Sequence, residues 1–357
     1  MTNQERVLVA MSGGVDSSVA AHLLLQAGYD CAGATMQMFS PEEIGTPPDL
    51  AGVTNEWADA ALIAEKLGID FEVIASNADF RRHVIDYFIQ TYENGGTPNP
   101  CVECNRYLKF GKFLDHAKQK GFDKIATGHY ARIQKNAGGR FYVSSAADAS
   151  KDQTYVLWQL SQDQLAHTLM PLGEYRKEEI REIAEKNGFC NARRRDSQDV
   201  CFIPDGDYVG FIQRMTGADF PTGDFVDLQG NRIGSHQGAI RYTIGQRKGL
   251  GIAFGKPTYV CKKCMADNTV TLGDNADLFS RELTAHGINL MTVERLDTPV
   301  RLLAKVRYNA RSAIATVEQV DDDCIRVLFD EPQRAICQGQ SVVLYDGNDL
   351  VGGGIID

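Results

Sequence analysis

The seven residues Ser12 to Ser18, SGGVDSS, have the composition of a turn that binds an anion. They lie between the apolar run RVLVA and a segment rich in Ala and Leu, so we expect a strand before the turn and a helix after it. Two glycines allow a tight turn and bring backbone N–H groups close to a ligand. A helix that starts near Ser17 would point its free amides and positive dipole end at the same place. No Gly-Lys-Ser/Thr or GxGxxG pattern accompanies the turn. The segment predicts a pyrophosphate site, with a plain tight connection as the alternative.

Two pairs of cysteines have CxxC spacing, Cys101 with Cys104 and Cys261 with Cys264. Four thiolates could hold zinc or an iron–sulfur cluster. The 156 residues between the pairs cross an apparent change of domain, so this spacing is much less specific than a compact zinc ribbon. We interpret Cys261 and Cys264, which follow a strand-like run, as buried or incidental thiols.

Two cysteines have surroundings suited to nucleophilic chemistry. Cys104 lies just before a predicted helix over Arg106–Lys120, and a thiol near a helix N-terminus has a lowered pKa and more nucleophilic thiolate. Pro98 and Pro100 lead us to predict no helix before Cys104. Cys201, in RRRDSQDVCFIP, follows three arginines and a polar stretch. A core thiol is the alternative for Cys201.

Three further segments could contact a ligand or RNA. His129, in TGHYAR, follows the predicted fourth parallel strand, at the sheet edge where ligands bind. Lys151–Gln153 precede an apolar run, although turn chemistry alone explains such a segment. Tyr308 beside Arg307 offers a stacking face and a phosphate donor, a pairing used in RNA recognition. The alternatives are a structural histidine and an ordinary strand end.

Alternating strand and helix patterns must position the first half of these residues. The strands are expected near Val7–Ala10, Ala32–Met38, Phe71–Ala75 and Lys124–Thr127, and the helices at Ser17–Ala27, Thr54–Leu67, Asn77–Glu93, Asp163–Met170 and Arg176–Asn187. A hairpin is expected over Arg132–Ser145. This alternation predicts βαβ units and a parallel sheet, with ligands beyond the carboxyl ends of its strands.

The pattern changes after about Pro204, where glycine becomes frequent and helical periodicity fades through Gly273. From about Glu282 onward, short β-rich runs recur at Val300–Tyr308, Ala313–Gln319, Cys324–Phe329, Ser341–Tyr345 and Val351–Ile355. Several short strands at this spacing predict a small barrel or sandwich.

Length, composition and charge limit the number of domains and the classes of partner. The 357 residues suffice for two or three domains. A net charge of −10 argues against indiscriminate binding to nucleic acid. However, Leu228–Ala266 and Thr298–Val317 contain basic residues and no acidic ones, and either window could hold phosphates. No stretch reaches a membrane-spanning length and no secretory h-region begins the chain, so we expect a cytoplasmic protein without membrane attachment.

These motifs together resemble one enzyme family. MSGGVDSS resembles the pyrophosphate loop of N-type ATP pyrophosphatases. TPNPCVECNRYLKFG, ATGHYAR, KDQTYVLWQL, DSQDVCFI, HQGAIRYTIGQRKGLGI and VRYNA occur in the order typical of bacterial tRNA-specific 2-thiouridylases. The resemblance implies an α/β fold, a Rossmann-like parallel-sheet ATP-pyrophosphatase domain followed by a small central domain and a C-terminal β-barrel. We expect these domains at 1–203, 204–280 and 281–357.

The resemblance also implies a reaction, 2-thiolation of the wobble uridine in tRNA with ATP and Mg²⁺. Cys104 would be the nucleophile, and Cys201 would carry a persulfide from a sulfur-carrier protein or cysteine desulfurase and end in a disulfide with Cys104. The residues expected to hold ATP are Ala10, Met11, Ser12, Gly13, Gly14, Val15, Asp16, Ser17, Met36 and Gly128. The residues expected to contact the target base or tRNA are Asn99, Pro100, Cys101, His129, Lys151, Asp152, Gln153, Arg307, Tyr308 and Gln340. No resident metal site is expected.

One position departs from the family pattern. Many members carry Asp where this chain has Cys101, and that carboxylate has been assigned proton transfer, for which an ordinary thiol is a poor substitute. Two alternatives remain at this stage: a tRNA thiolase with an iron–sulfur cluster held by CxxC, and a non-catalytic, nucleotide-gated RNA-binding protein.

Overall fold

The structure is a computed structural model that describes residues 4–45, 56–194, 200–252 and 255–357. Between residues 4 and 194 the described strands are β1 (Arg6–Ala10), β2 (Asp30–Gln37), β3 (Phe71–Ala75), β4 (Lys124–Ala126), β5 (Ala131–Lys135), β6 (Phe141–Ser145) and β7 (Thr168–Leu169). Five of them form a parallel sheet in the order β3-β2-β1-β4-β7. Val7, Leu8 and Val9 are fully buried, as expected for a central strand covered on both faces. The predicted parallel sheet is confirmed.

The helices of this region cover the sheet. They are α1 (Val15–Gln26), α2 (Glu56–Leu67), α3 (residues 77–93), α4 (residues 100–119), α5 (Gln162–Ala166) and α6 (Lys177–Lys186). The predicted apolar stripe of α3, formed by Phe80, Val84 and Phe88, is buried. The start predicted for α2 at Thr54 lies outside the described residues. The prediction of helix through Met170 was wrong, because Thr168–Leu169 pairs with β4 as an edge strand.

Two of these helices contain π-helical turns. Helix α3 runs through Asn77–Phe80, the π segment Arg81–Ile85 and Asp86–Glu93. Helix α4 runs through Pro100–Glu103, the π segment Cys104–Lys112 and Phe113–Gln119. The prediction that no helix precedes Cys104 was wrong, because Pro100 occupies the first helical position, where its missing N–H costs no intrahelical hydrogen bond.

A second, smaller unit follows. Helix α7 (Tyr208–Thr216) leads to a four-stranded sheet of β8 (Gly223–Val226), β9 (Arg232–His236), β10 (Tyr259–Cys264) and β11 (Thr269–Gly273), in the order β10-β11-β8-β9. The sequence analysis missed α7, although its buried residues Val209 and Ile212 are three apart, as on one face of a helix. The helix ends at Gly217, whose φ of 69° lies in the left-handed region.

The chain closes with a barrel. Its strands are β12 (Phe279–Leu290), β13 (Val300–Lys305), β14 (Ala313–Gln319), β15 (Cys324–Arg334), β16 (Ser341–Asp346) and β17 (Asp349–Ile356), and β12 closes onto β17. The predicted barrel is confirmed. The sequence analysis missed β12, whose first four residues are exposed and lack a clear apolar alternation. Hairpin β5–β6 extends the barrel sheet through pairing of Ser144 with Asp349. Within the described residues, no helix combines the length and apolar character needed to cross a membrane.

Candidate active site

The glycine-rich turn lies where the parallel sheet changes direction. From β1 the chain builds β2 and β3 on one side, and β4 and β7 lie on the other side, so the carboxyl ends of β1 and β4 flank a crevice. Gly128, just beyond β4, packs against the start of α1. A Cβ atom at Gly128 would lie 2.8 Å from the Ser17 nitrogen and 2.9 Å from the Asp16 carbonyl carbon. The structure therefore brings together the two segments expected to hold ATP.

Hydrogen bonds within the glycine-rich turn fix its conformation. Gly13 adopts a φ of 74°, which favours glycine. The Ser12 N–H donates to Ser17 Oγ at 3.2 Å, and Ser17 Oγ donates to the Gly14 carbonyl at 3.1 Å. Ser12 is exposed at the tip of the turn, whereas the side chains of Met11 and Val15 are in the core. Any contact of Met11 and Val15 with a nucleotide must therefore use their backbones.

The cysteines of the first CxxC lie on the first turns of α4. Cys101 is exposed and Cys104 is half-buried. The Cys104 side chain packs against an apolar cluster that includes Phe80, Phe88 and Phe202. Val200 packs against the same cluster, so the residues on both sides of Cys201 share it with Cys104, while Cys201 itself is exposed. The polar residues 195–199 that precede Cys201 lie outside the described residues.

The protonation of Cys104 differs from the prediction. Burial raises the pKa of the Cys104 thiol, and the nearby Cys101 raises it further, whereas the Lys109 ammonium lowers it. Burial is the largest effect because the thiolate loses its hydration in the apolar cluster. The expectation of a lowered pKa was wrong, since it considered only the helix terminus and not the packing around the thiol.

The second CxxC lies elsewhere. Cys261 and Cys264 are on β10 of the small sheet, and the Cys264 thiol donates to Asp267 Oδ2 at 3.3 Å. In the ranges that the structure describes, no group of three or more His, Cys, Asp or Glu residues could hold a metal ion. Nothing in this geometry supports a zinc site shared by the two pairs.

Comparison with known proteins identifies the family. The chain matches the family models described as "tRNA methyl transferase HUP domain" over residues 5–205, "tRNA methyl transferase PRC-barrel domain" over 210–274 and "Aminomethyltransferase beta-barrel domain" over 280–356. It is 46% identical to a tRNA-specific 2-thiouridylase of Clostridioides difficile (strain 630), over 100% of this chain and 99% of the relative. It is 48% identical to one of Lachnoclostridium phytofermentans, over 99% of both chains.

The chain belongs to the tRNA-specific 2-thiouridylase family.

In this member of the 2-thiouridylase family, the structure places three residues that sequence analysis missed beside the glycine-rich turn. Lys177 Nζ lies 2.8 and 2.7 Å from the two carboxylate oxygens of Asp16, and the Tyr130 hydroxyl donates to Asp16 Oδ1 at 2.7 Å. Asn191 Nδ2 donates to the Gly13 carbonyl at 2.8 Å and to Ser18 Oγ at 2.9 Å. The one sequence signal was Lys177 itself, a cation at the first position of a helix, where the dipole disfavours it.

The segment after β4 is buried. His129 Nδ1 lies 2.7 Å from the Thr127 hydroxyl, and burial lowers the pKa of His129 well below its ordinary value, with Lys109 adding to the effect. Asp152 accepts hydrogen bonds from the backbone N–H groups of Ala146 and Thr154. The Asp152 carboxylate therefore holds a turn, as the alternative explanation of this segment predicted.

Gln153 and Lys151 lie in the same turn. The Gln153 Oε1 atom accepts from the Tyr130 N–H at 3.0 Å, and the Gln153 N–H donates to the Tyr130 carbonyl at 3.0 Å. Both residues are half-buried. Gln153 thus fixes the connection just before β5 that carries Tyr130, the partner of Asp16.

The barrel contacts the start of α4. Gln340 Nε2 donates to the carbonyls of Thr97 and Pro98 at 3.0 and 3.1 Å, next to the half-buried Asn99 and the buried Pro100. The Thr97 N–H donates to the Gln338 carbonyl at 2.8 Å. The structure therefore unites Gln340 with the expected target-base segment, although the two are more than two hundred residues apart in sequence.

Tyr308 and Arg307 differ in accessibility. Tyr308 is 40% exposed, and its hydroxyl donates to the Asp152 carbonyl at 3.2 Å. Burial raises the pKa of Tyr308, as do the charges of Asp152 and Cys101. The Arg307 guanidinium instead donates to the Ala335 carbonyl and to Cys337 Sγ, inside its own domain. Arg307 is therefore less free to reach a phosphate than the sequence suggested.

Proposed function

We propose that this protein replaces the 2-oxygen of the wobble uridine of tRNA with sulfur, at the expense of ATP, which is cleaved to AMP and pyrophosphate. The observation that carries the proposal is the apolar cluster shared by Cys104 and the residues flanking Cys201. Met36, on the strand next to the glycine-rich turn, packs against the same cluster. The 46% and 48% sequence identity to two 2-thiouridylases, which extends over essentially the whole chain, supports the same reaction.

The first step activates the base. The uridine 2-oxygen attacks the α-phosphorus of ATP, and pyrophosphate leaves, so a poor leaving group becomes AMP. Backbone amides of Ser12–Ser17 and the start of α1 would hold the departing pyrophosphate. We propose ATP contacts from Ala10, Met11, Ser12, Gly13, Gly14, Val15, Asp16, Ser17, Met36 and Gly128. Lys177 acts as a positioning residue, since its ammonium fixes the Asp16 carboxylate.

The donor atoms near the turn fit a magnesium ion that arrives with ATP. Asp16 supplies the one carboxylate of the turn, and Ser12 and Ser17 supply hydroxyl oxygens. Mg²⁺ usually binds one or two carboxylates together with substrate phosphates and water. Asp16 would hold the ion while keeping its contact with Lys177, and the ion would neutralise the pyrophosphate charge.

The second step transfers sulfur. The terminal sulfur of a Cys201 persulfide attacks C2 of the activated uridine and AMP leaves. The Cys104 thiolate then attacks the Cys201 sulfur, which releases 2-thiouridine and leaves a Cys104–Cys201 disulfide. If Cys104 attacks the persulfide first and releases hydrosulfide as the nucleophile, the same disulfide results. A sulfur-carrier protein or a cysteine desulfurase would reload Cys201.

A stacked anticodon base hides its 2-oxygen, so the uridine must be extruded into the site. We propose that Asn99, Pro100 and Cys101 surround the extruded base, and that Lys151 and Tyr308 contact tRNA directly. The buried His129 would position the segment after β4. Asp152, Gln153, Arg307 and Gln340 would support those contacts as positioning residues, in keeping with their hydrogen bonds. Domain boundaries at 1–203, 204–280 and 281–357 and a cytoplasmic location remain part of the proposal.

The test is mass spectrometry of tRNA nucleosides after incubation with ATP, Mg²⁺ and a persulfide donor. We expect 2-thiouridine with wild-type protein, none with Cys104→Ser or Cys201→Ser, and tRNA binding within about twofold of wild type for both, because neither thiol is needed for binding. Cys190→Ser, which replaces another exposed cysteine, is the matched control and should remain active. Full activity of either site variant would contradict the two-thiol mechanism.

A further inference from the structure

The thiol at Cys101 has no role in the two-thiol reaction, yet it lies where a disulfide with Cys104 can form. The two residues are three apart on the first turns of α4. Helix geometry places such Cα atoms about 5 Å apart, within the roughly 4.4–6.8 Å range of disulfides. The first helical turn also lacks part of its intrahelical hydrogen bonds, so a small distortion there disrupts few contacts.

The two thiols differ in access to solvent. Cys101 is exposed, whereas Cys104 is half-buried against the cluster that holds Val200 and Phe202. Burial raises the pKa of both thiols, and the Lys109 ammonium opposes that rise at each of them. A disulfide that includes Cys101 is therefore open to a reductant in solution through the exposed Cys101 side chain.

We infer that Cys101 is a resolving thiol, which takes over the disulfide left by each round of the proposed sulfur transfer. The inference rests on the proposed function, because the Cys104–Cys201 disulfide is its substrate. The Cys101 thiolate attacks Cys104 Sγ, the Cys104–Cys201 bond breaks, and Cys201 leaves as a thiolate that takes up a proton. The product is a Cys101–Cys104 disulfide. A dithiol reductant then supplies two electrons and two protons and restores both thiols.

This exchange separates two tasks that otherwise compete for Cys201. Cys201 is exposed, so once released it can accept the next sulfur while the disulfide is still held on α4. The exchange breaks one S–S bond and forms another, so the bond energies nearly cancel. Its direction depends on the close approach of two thiols on one helix, which gives Cys101 a high effective concentration at Cys104.

The experiment maps disulfides after one turnover without reductant. Persulfide-loaded full-length protein is incubated with ATP, Mg²⁺ and tRNA, quenched in acid, alkylated and digested with trypsin. Cys101 and Cys104 lie in one tryptic peptide, between Arg82 and Arg106, so their disulfide is intrapeptide and a bond to Cys201 is interpeptide. We expect at least fivefold more Cys101–Cys104 than Cys104–Cys201 disulfide in wild type, and the reverse in Cys101→Ser.

The 2-thiouridine formed in the same sample separates the two proposals. If 2-thiouridine forms and wild type accumulates Cys104–Cys201 with Cys101 alkylated, the resolving role is overturned and the proposed function stands. If no 2-thiouridine forms, the proposed function fails and the resolving role fails with it. Cys190→Ser is the matched control and should give the wild-type disulfide map. Cys101→Ala, a second variant at the exposed position, should reproduce the map of Cys101→Ser.

Discussion

At the scale of single residues, we expect the reactivity of Cys104 to depend on the Lys109 ammonium. Burial raises the pKa of the Cys104 thiol, and the positive charge of Lys109 opposes this rise. A thiolate is the nucleophilic form, so the rate should depend on how far Lys109 offsets burial.

We predict that Lys109→Ala moves the acid limb of the pH–rate profile for thiolation upward by roughly one pH unit, because loss of a nearby cation destabilises the thiolate. The measurement is single-turnover 2-thiouridine formation from about pH 6 to 9. Lys112→Ala removes a lysine of the same helix that pairs with Asp79, and its profile should match wild type. Coincident profiles for Lys109→Ala and wild type would exclude this effect.

His129 should make the stability of the protein depend on pH. Its folded-state pKa lies well below the ordinary value of 6.5, because burial disfavours the imidazolium. As the pH falls through 6.5, the unfolded chain takes up a proton that the folded state does not, so stability is present above this pH and lost below it.

We therefore predict that His129→Gln flattens the loss of unfolding free energy between about pH 7 and pH 5, where one such group contributes up to about 1.4 kcal/mol per pH unit. Urea unfolding at a series of pH values measures the slope. An equal slope in the variant and wild type would show that other groups dominate acid destabilisation.

At the scale of elements, the site depends on how closely β4 approaches the start of α1. Gly128 leaves no room for a side chain, because the atoms that a Cβ would meet at 2.8 and 2.9 Å are backbone atoms of Ser17 and Asp16. Backbone atoms at a helix start cannot move aside without shifting the amides that would hold pyrophosphate.

We predict that Gly128→Ala weakens ATP binding roughly tenfold, equivalent to about 1.4 kcal/mol, as measured by calorimetry with tRNA present. Gly138→Ala, in the β5–β6 turn, is the control, since the nearest atom is the end of the Asn136 side chain at 3.3 Å. Its ATP affinity should be unchanged. Wild-type affinity for Gly128→Ala would argue against a nucleotide at this strand end.

At the scale of the whole molecule, the barrel contacts the segment before α4, the helix that carries Cys101 and Cys104. Gln340 reaches from the barrel to the carbonyls of Thr97 and Pro98. Trp158 Nε1 donates to Ser341 Oγ at 3.0 Å, and the Tyr155 hydroxyl donates to the Ser341 carbonyl at 2.8 Å. A change in the barrel should therefore reach the thiols of α4 through the segment that precedes them.

We predict that Gln340→Ala lowers single-turnover thiolation roughly tenfold, because a small misplacement of reacting groups is costly, and lowers unfolding free energy by about 1–2 kcal/mol for two lost hydrogen bonds. Gln338→Ala is the control, since Gln338 contacts Thr97 through its backbone carbonyl, which alanine retains. If both variants behave like wild type, the barrel does not position α4.

Local pattern alone determined much of this protein. The RVLVA run followed by SGGVDSS predicted a buried strand, a tight glycine turn and a helix, and β1, the turn at Gly13 and α1 match. Strands β13 to β17 were also predicted, because the alternation of apolar and polar residues and the turn residues between strands are visible among neighbouring residues. The sequence also contains the start of α4. We would have predicted it by interpreting Pro100 as the first helical residue and not as a helix breaker.

Tertiary structure alone decided the chemistry of the site. Lys177 pairs with Asp16 across 161 residues, and Gln340 reaches Thr97 across 243. Burial raises the pKa of Cys104, and the apolar cluster against which it packs is assembled from α3, α4, α7 and residues 200–203. Such contacts leave no periodic signal in sequence, because they depend on where separate elements pack and not on the spacing within any one of them.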